Sequence, residues 1–119
     1  MGKRGRARGR AERLDAPTSD YTSEDGAVLT LRGAMTPKTR QEYAATIAGN
    51  PLSREDAWQR AVEFLFERLA VRWEIAGVAT EGQKALLMRL RVATQDERRF
   101  VRDTLREHVA EHFPDVEAP

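Results

Sequence analysis

The chain has 119 residues, of which 40% are hydrophobic and 33% charged, with a formal net charge of +1 and no cysteine. This length fits one domain, and the lack of cysteine excludes a disulfide framework, a thiol nucleophile and cysteine-ligated zinc. No long apolar run exists and no apolar segment follows the charged N-terminus, so we predict a cytoplasmic protein without a transmembrane helix or secretory signal.

The net charge hides a division along the chain. Residues 1–13 hold six basic side chains against Glu12, whereas residues 14–119 hold 14 basic and 18 acidic groups. The six cations are Lys3, Arg4, Arg6, Arg8, Arg10 and Arg13. Residues 1–20 contain too little apolar surface to offset the entropy of ordering them. We therefore predict a disordered basic arm over residues 1–20, attached to a body over residues 21–119.

The arm suggests contact with nucleic acid, because arginine neutralises phosphate and releases condensed counterions. The stretch Lys3 to Arg6 resembles the core of an AT-hook, an arm that inserts arginines into a narrow minor groove. The AT-hook core continues with proline, where this chain has Ala7. The stretch is equally similar to arginine–glycine segments of RNA-binding proteins. The six cations are thus candidate contacts to DNA or RNA, and the alternative is a solubilising tail with weak affinity for polyanions.

The first elements of the body are a hairpin and a helix. Asp25-Gly26 is a turn signal, and the apolar run that follows it predicts a short strand within a hairpin over residues 21–33. Thr36-Pro37 places a cap residue before a first-turn proline, which predicts a helix over residues 37–48.

Three further helices are predicted. Ser53 caps a long helix over residues 54–76, whose apolar stripe starts at Trp58. Thr80 with Gln83 predicts a helix over 81–91, and Thr94 with Glu97 forms a capping box before a helix over 95–113. We see no internal repeat, so the predicted fold class is mainly α: a small four-helix, bundle-like domain with a short N-terminal hairpin or strand.

The long helix is apolar around more than one face. Its four large aromatic residues are Trp58, Phe64, Phe66 and Trp73. Core packing is the favoured interpretation. The alternative is that some of them form a protein interface, with a symmetric homodimer as its simplest use.

The last two predicted helices also resemble a helix-turn-helix in their spacing. In that motif the start of the second helix meets base edges. Here that start carries Asp96 and Glu97, which would face phosphates, although Arg98, Arg99, Arg102 and Arg106 follow on the same helix. We favour an ordinary charged helical surface.

The segment from His108 to His112 matches the His-x-x-Glu-His pattern of inverted zinc metalloproteases. These are the only two histidines, and seven residues follow them, so the third ligand that the family takes from far downstream has no counterpart. We favour structural histidines near a helix C-terminus and leave adventitious metal binding open.

No complete catalytic arrangement is visible, so we expect no enzyme, cofactor or metal. The leading function is a non-enzymatic nucleic-acid-associated accessory protein. The alternative is a protein–protein adaptor or assembly subunit that uses the aromatic face.

Overall fold

The computed structural model describes residues 17–48 and 54–119. Within these ranges the chain forms four strands and four helices. In chain order they are β1 Thr18–Thr22, β2 Val28–Arg32, α1 Pro37–Ala48, α2 Arg54–Leu69, β3 Ala70–Ile75, β4 Val78–Glu81, α3 Gln83–Arg91 and α4 Gln95–His112.

The four strands form one antiparallel sheet in the order β1-β2-β3-β4. The two central strands, β2 and β3, are neighbours although α1 and α2 lie between them in the chain. Tyr21, Leu29, Trp73 and Thr80 are cross-strand partners in one row across the sheet. This register places Leu29, Leu31 and Trp73 of the central strands on the face that packs against the helices.

The predicted fold class is therefore wrong. The chain has an α+β arrangement, in which helices cover one face of a four-stranded sheet, and not a mainly helical bundle with one hairpin. The error lies in the segment predicted as a helix over residues 54–76, because α2 ends at Leu69 and β3 begins at Ala70.

The side-chain pattern explains why the helix stops there. Val71, Trp73 and Ile75 alternate with more polar residues at a period of two, which is the pattern of a half-buried strand. After them, Ala76 and Gly77 have φ angles of 51° and 79°. Positive φ at both central residues is what a two-residue type I′ hairpin turn requires, and it turns β3 back into β4.

Two other boundaries also differ from the prediction. The disordered arm was expected to reach residue 20, but Thr18–Thr22 forms β1 and pairs with β2 along its whole length. Thr80 was expected to cap a helix, but it lies in β4, and α3 begins after Gly82 without a side-chain cap. In both cases pairing with a neighbouring strand decides the conformation. The local sequence of each segment does not show that pairing.

Several local signals do have their expected geometry. Gly26 has a φ of 87° in the turn between β1 and β2. The Thr36 hydroxyl accepts a hydrogen bond from the Thr39 amide at 3.1 Å at the start of α1. Thr94 and Glu97 form both hydrogen bonds of a capping box at the start of α4. The predicted cap Ser53 lies outside the described residues.

The core lies between the sheet and the helices. Leu29, Leu31 and Trp73 of the sheet pack with buried residues from all four helices. The helical members are Tyr43, Ala61, Leu65, Phe66, Leu69, Leu86, Leu90, Val101, Leu105 and Val109. Within residues 17–48 and 54–119, no helix is both long enough and apolar enough to cross a membrane.

Candidate nucleic-acid interface

A cleft of about 520 Å³ lies between α2 and α4. The α2 side contributes Glu55, Trp58, Gln59, Val62 and Glu63, and the α4 side contributes Gln95, Arg98, Arg99, Arg102, Asp103 and Arg106. Both sets repeat at spacings of three and four, so each forms one continuous helix face. The cleft is therefore built by regular helix geometry.

The two faces of α4 have separate tasks. Val101, Leu105 and Val109 are buried and pack in the core. The four arginines lie on the neighbouring face of the helix, beside α2. Because the apolar residues of α4 pack in the core, the arginines of the helix are directed into the cleft beside α2.

Arg102 lies at the centre of this cleft. The carbon of its guanidinium is 4.9 Å from the centroid of the Trp58 ring, which is a cation–π contact. Its Nε atom is buried, and within the described residues it has no hydrogen-bond partner. Because Nε is closed to solvent, a ligand would meet the two terminal guanidinium nitrogens, which make no hydrogen bond or ion pair among the described residues.

The other arginines of the cleft are more firmly held. Arg98 donates to the carbonyl oxygens of Arg91 at 2.7 Å and Ala93 at 3.4 Å, which fixes it at the α3–α4 junction. Arg106 Nε donates to the carbonyl oxygen of Pro119 at 2.9 Å. Among the described residues, Arg99 has only a long ion pair of 3.9 Å with the exposed Asp96. Arg99 and Arg102 are therefore the arginines with most capacity for a new partner.

Charge is divided unequally between the two walls of the cleft. All four arginines stand on α4 together with one acidic residue, Asp103, whereas Glu55 and Glu63 stand on α2. Glu63 is 3.7 Å from Arg91 in a partly exposed ion pair, and such pairs contribute little. The cleft thus has a mainly basic wall on α4 and an acidic wall on α2, with Trp58 between them.

The structure separates the four aromatic residues predicted as a possible protein interface. Phe66 and Trp73 are 0% and 1% exposed and form an edge-to-face pair in the core, with ring centroids 5.6 Å apart. Phe64 is partly buried beside Tyr43 and under Arg68. Trp58 alone lines the cleft. The interface interpretation therefore retains only Trp58 and Phe64.

The junction between α3 and α4 presents acidic groups at the helix start. Glu97 is engaged twice, by the Arg89 guanidinium at 2.9 Å and by the capping box. Hydrogen bonds from Arg89 hold the pKa of Glu97 below its ordinary value. Asp96 beside it is exposed. A helix start of this kind would repel the phosphates that flank a groove, so the geometry gives no support to helix-turn-helix reading.

The two histidines form a structural network and not an open site. His108 is buried, with Nδ1 2.7 Å from the Tyr21 hydroxyl and Nε2 2.8 Å from the Arg32 carbonyl oxygen. A carbonyl can only accept, so Nε2 carries the proton and Nδ1 accepts from Tyr21. Burial lowers the pKa of His108. His112 lies against Ser19 at 3.3 Å. In the part of the chain that the structure describes, no group of three or more His, Cys, Asp or Glu side chains is placed to hold a metal ion.

A second cavity, of about 330 Å³, lies between the β1–β2 turn, β3 and the start of α4. Trp73 lines it, and the indole Nε1 is buried without a hydrogen-bond partner among the described residues. The cavity wall includes Glu97, whose carboxylate is already held by Arg89 and Thr94. The described lining of this cavity holds Asp25, Asp96 and Glu97 and no lysine or arginine, so it is a weaker candidate for contact with nucleic acid than the α2/α4 cleft.

The outer face of the sheet is also a weak candidate for nucleic acid. Asp20, Thr30, Arg72 and Glu81 form one row across it. Arg72 is paired with Glu74 at 2.9 Å and with Glu81 at 3.3 Å. Sheets that bind single strands stack bases on exposed aromatic side chains. Here the aromatic residues of the described strands belong to the inner row.

The six predicted phosphate contacts of the arm, Lys3 to Arg13, lie outside the described residues. What sequence reasoning missed is the cleft itself, and above all the acidic wall at Glu55 and Glu63. The four arginines were recognised, but only as part of a helix-turn-helix. Their spacing at 98, 99, 102 and 106 was the available signal. Trp58 was recognised separately, and only the tertiary packing of α2 on α4 brings it beneath Arg102.

Comparisons of the chain with protein families, curated proteins and solved structures found no match.

Proposed function

We propose that this chain is a non-enzymatic, cytoplasmic accessory protein that associates with nucleic acid through its basic N-terminal segment. The observation that carries the proposal is the concentration of charge: six cations stand against one acid in residues 1–13 of a chain whose remainder is acidic. Such a division is typical of an interaction segment joined to a body of opposite charge. Its phosphate contacts would be Lys3, Arg4, Arg6, Arg8, Arg10 and Arg13.

The folded body adds support of its own. Arg99 and Arg102 line a cleft with few competing partners, and they stand on the same helix face as Arg98 and Arg106. A second set of cations on the body would add phosphate contacts to those of the N-terminal segment and strengthen association.

The competing proposal is a protein–protein adaptor. Of the four aromatic residues that suggested it, Phe66 and Trp73 are buried in the core. A homodimer or partner interface would therefore have to be built on Trp58 and Phe64. It predicts self-association, or a partner-bound species, that is lost on Trp58→Ala.

The test compares the full-length protein with a version that lacks residues 1–13. Both are titrated against a labelled duplex DNA and a structured RNA, at low and at physiological salt. We expect only the full-length protein to bind at physiological salt, because about six phosphate contacts supply the affinity. The better of the two ligands then identifies the nucleic acid concerned.

A charge-matched pair of variants distinguishes the contribution of the N-terminal segment to affinity from the general effect of net charge. The triple substitution of Arg4, Arg6 and Arg8 by Gln lowers the net charge by three. So does the triple substitution of Lys38, Arg60 and Lys84, which are exposed cations of the body. The first variant is expected to lose most of the affinity and the second little. Binding that survives both the deletion and the first triple variant contradicts the proposal.

A further inference from the structure

The α2/α4 cleft has a ligand preference of its own. We infer that it binds an unpaired nucleotide of a single strand, with the phosphate against Arg99 and Arg102 on α4 and an amino-bearing base against Glu55 and Glu63 on α2. The inference rests on the proposed function and narrows it, since it names the class of nucleic acid that the body selects.

The basic wall supplies the phosphate site. Arg102 forms no hydrogen bond or ion pair among the described residues, and its guanidinium carbon lies 4.9 Å from the centroid of the Trp58 ring. An arginine fork matches the oxygens of a phosphate group. Arg99, three positions earlier on the same face, has only a 3.9 Å ion pair with Asp96 to give up. A phosphate of the ligand would supply an acceptor for the terminal guanidinium nitrogens of Arg102 at the centre of the cleft.

The stacked pair supplies the base platform. Unpaired bases stack on aromatic rings and on guanidinium planes. The Trp58 ring and the Arg102 guanidinium already lie one over the other at 4.9 Å. A base that lies on this pair extends the stack within a cleft of about 520 Å³, a volume within the usual range of small-ligand sites.

The acidic wall explains why a single strand fits better than a duplex. Glu55 and Glu63 on α2 would face phosphates if a duplex lay along the cleft, because a duplex turns its charged backbones outward on both sides. A single strand instead presents phosphate to one wall and a base edge to the other. Carboxylates accept hydrogen bonds from the amino group of cytosine, whereas thymine offers a carbonyl oxygen at that position.

The experiment uses the full-length protein with short oligo(dC), oligo(dT) and duplex DNA, at moderate salt. Trp58 lies in the cleft and Trp73 in the core, so tryptophan emission reports the cleft. We expect oligo(dC) to quench the emission, and we expect Trp58→Phe, which leaves only Trp73, to abolish the quenching. Oligo(dC) should bind more tightly than oligo(dT) and than the duplex.

Three variants examine the two walls. Arg102→Gln should weaken binding of oligo(dC) by about ten-fold, the scale of one stacked base. Arg72→Gln, with the same charge loss on the outer face of the sheet, should have little effect. The double variant Glu55→Gln and Glu63→Gln should erase the preference for oligo(dC) over oligo(dT), although it makes the cleft more positive. A merely structural role for these two carboxylates would leave that preference unchanged.

The outcomes distinguish this inference from the proposed function. The inference is overturned if the duplex binds as well as the single strands, if tryptophan emission does not change, and if Arg102→Gln and Arg72→Gln have the same effect on affinity. Association through residues 1–13 would stand in that case. If polyglutamate displaces oligo(dC), and its binding depends on Arg102 and Trp58 as much as that of oligo(dC) does, the cleft is a site for acidic peptides and the inference fails. If no nucleic acid binds the full-length protein, both the inference and the proposed function fail.

Discussion

The hydrogen bond between Tyr21 and His108 should stabilise the attachment of the hairpin to α4, and Tyr21→Phe removes it. The hydroxyl is 2.7 Å from His108 Nδ1, and the two rings meet edge to face with centroids 5.6 Å apart. Phenylalanine keeps the ring contact and the volume. Burial raises the pKa of Tyr21, so the hydroxyl remains a donor over the ordinary pH range.

The expected cost follows from what the substitution leaves behind. His108 is 0% exposed, and its Nε2 proton is already used on the Arg32 carbonyl oxygen. Loss of the Tyr21 hydroxyl therefore leaves Nδ1 as a buried acceptor without a donor, which costs about 1–3 kcal/mol. Tyr21 itself is partly exposed, so water can replace some of the bond and the lower half of that range is expected.

The same network makes stability depend on pH. Burial lowers the pKa of His108 in the folded state, so the unfolded chain binds the proton more readily. Stability is therefore complete above the ordinary histidine value of about 6.5 and is lost as the pH falls below it. Between pH 7.5 and 5.5 one such group accounts for at most about 1.4 kcal/mol. Glu107, Glu111 and His112 also act on this site.

The assay is urea denaturation at both pH values. Thr30→Val is the matched control, because the Thr30 hydroxyl donates to Asp20 at 2.6 Å on the exposed side of the same hairpin. It should cost no more than about 0.5 kcal/mol. His108→Gln removes the titrating group and should flatten the pH dependence. If Tyr21→Phe costs no more than Thr30→Val and the wild-type free energy of unfolding does not fall at pH 5.5, the reasoning about this network is refuted.

Two further predictions concern the fold. Ala76 has a φ of 51° in an exposed turn where asparagine is preferred. Ala76→Asn should therefore raise the free energy of unfolding, measured by urea denaturation, by about 0.5–1 kcal/mol. A loss of stability would show that β3 and β4 are not joined by this turn. Trp73→Ala should lower it by about 3–5 kcal/mol because the side chain is 1% exposed, whereas Trp58→Ala at the cleft should cost less than half as much; equal costs in the same assay would contradict the assignment of one tryptophan to the core and the other to the cleft.

Local chemistry in the sequence predicted only part of the fold. The capping box at Thr94 and the turn at Gly26 depend on residues close together in the chain, and both have the expected geometry. The helix expected to run to residue 76 ends at Leu69 because β3 pairs with both β2 and β4. The alternation of Val71, Trp73 and Ile75 was visible, but the partner strands that stabilise it come from distant parts of the chain.

The candidate site shows the same limit. The arginines of α4 and the tryptophan of α2 are each apparent from sequence. Their juxtaposition is not, since Arg102 and Trp58 are brought together only when both helices pack on the core. The charge of residues 1–13 needs no fold to be recognised, and for that reason it carries the functional proposal.

The most direct test of that proposal is the dependence of nucleic-acid affinity on salt concentration, measured for the full-length protein and for the version without residues 1–13. Six phosphate contacts on a single strand contribute about −4 to the slope of log K against log salt, and the deletion should remove this contribution and leave the slope due to the cleft alone. A slope that is the same for both proteins would show that Lys3, Arg4, Arg6, Arg8, Arg10 and Arg13 do not contact phosphates, and it would contradict the account.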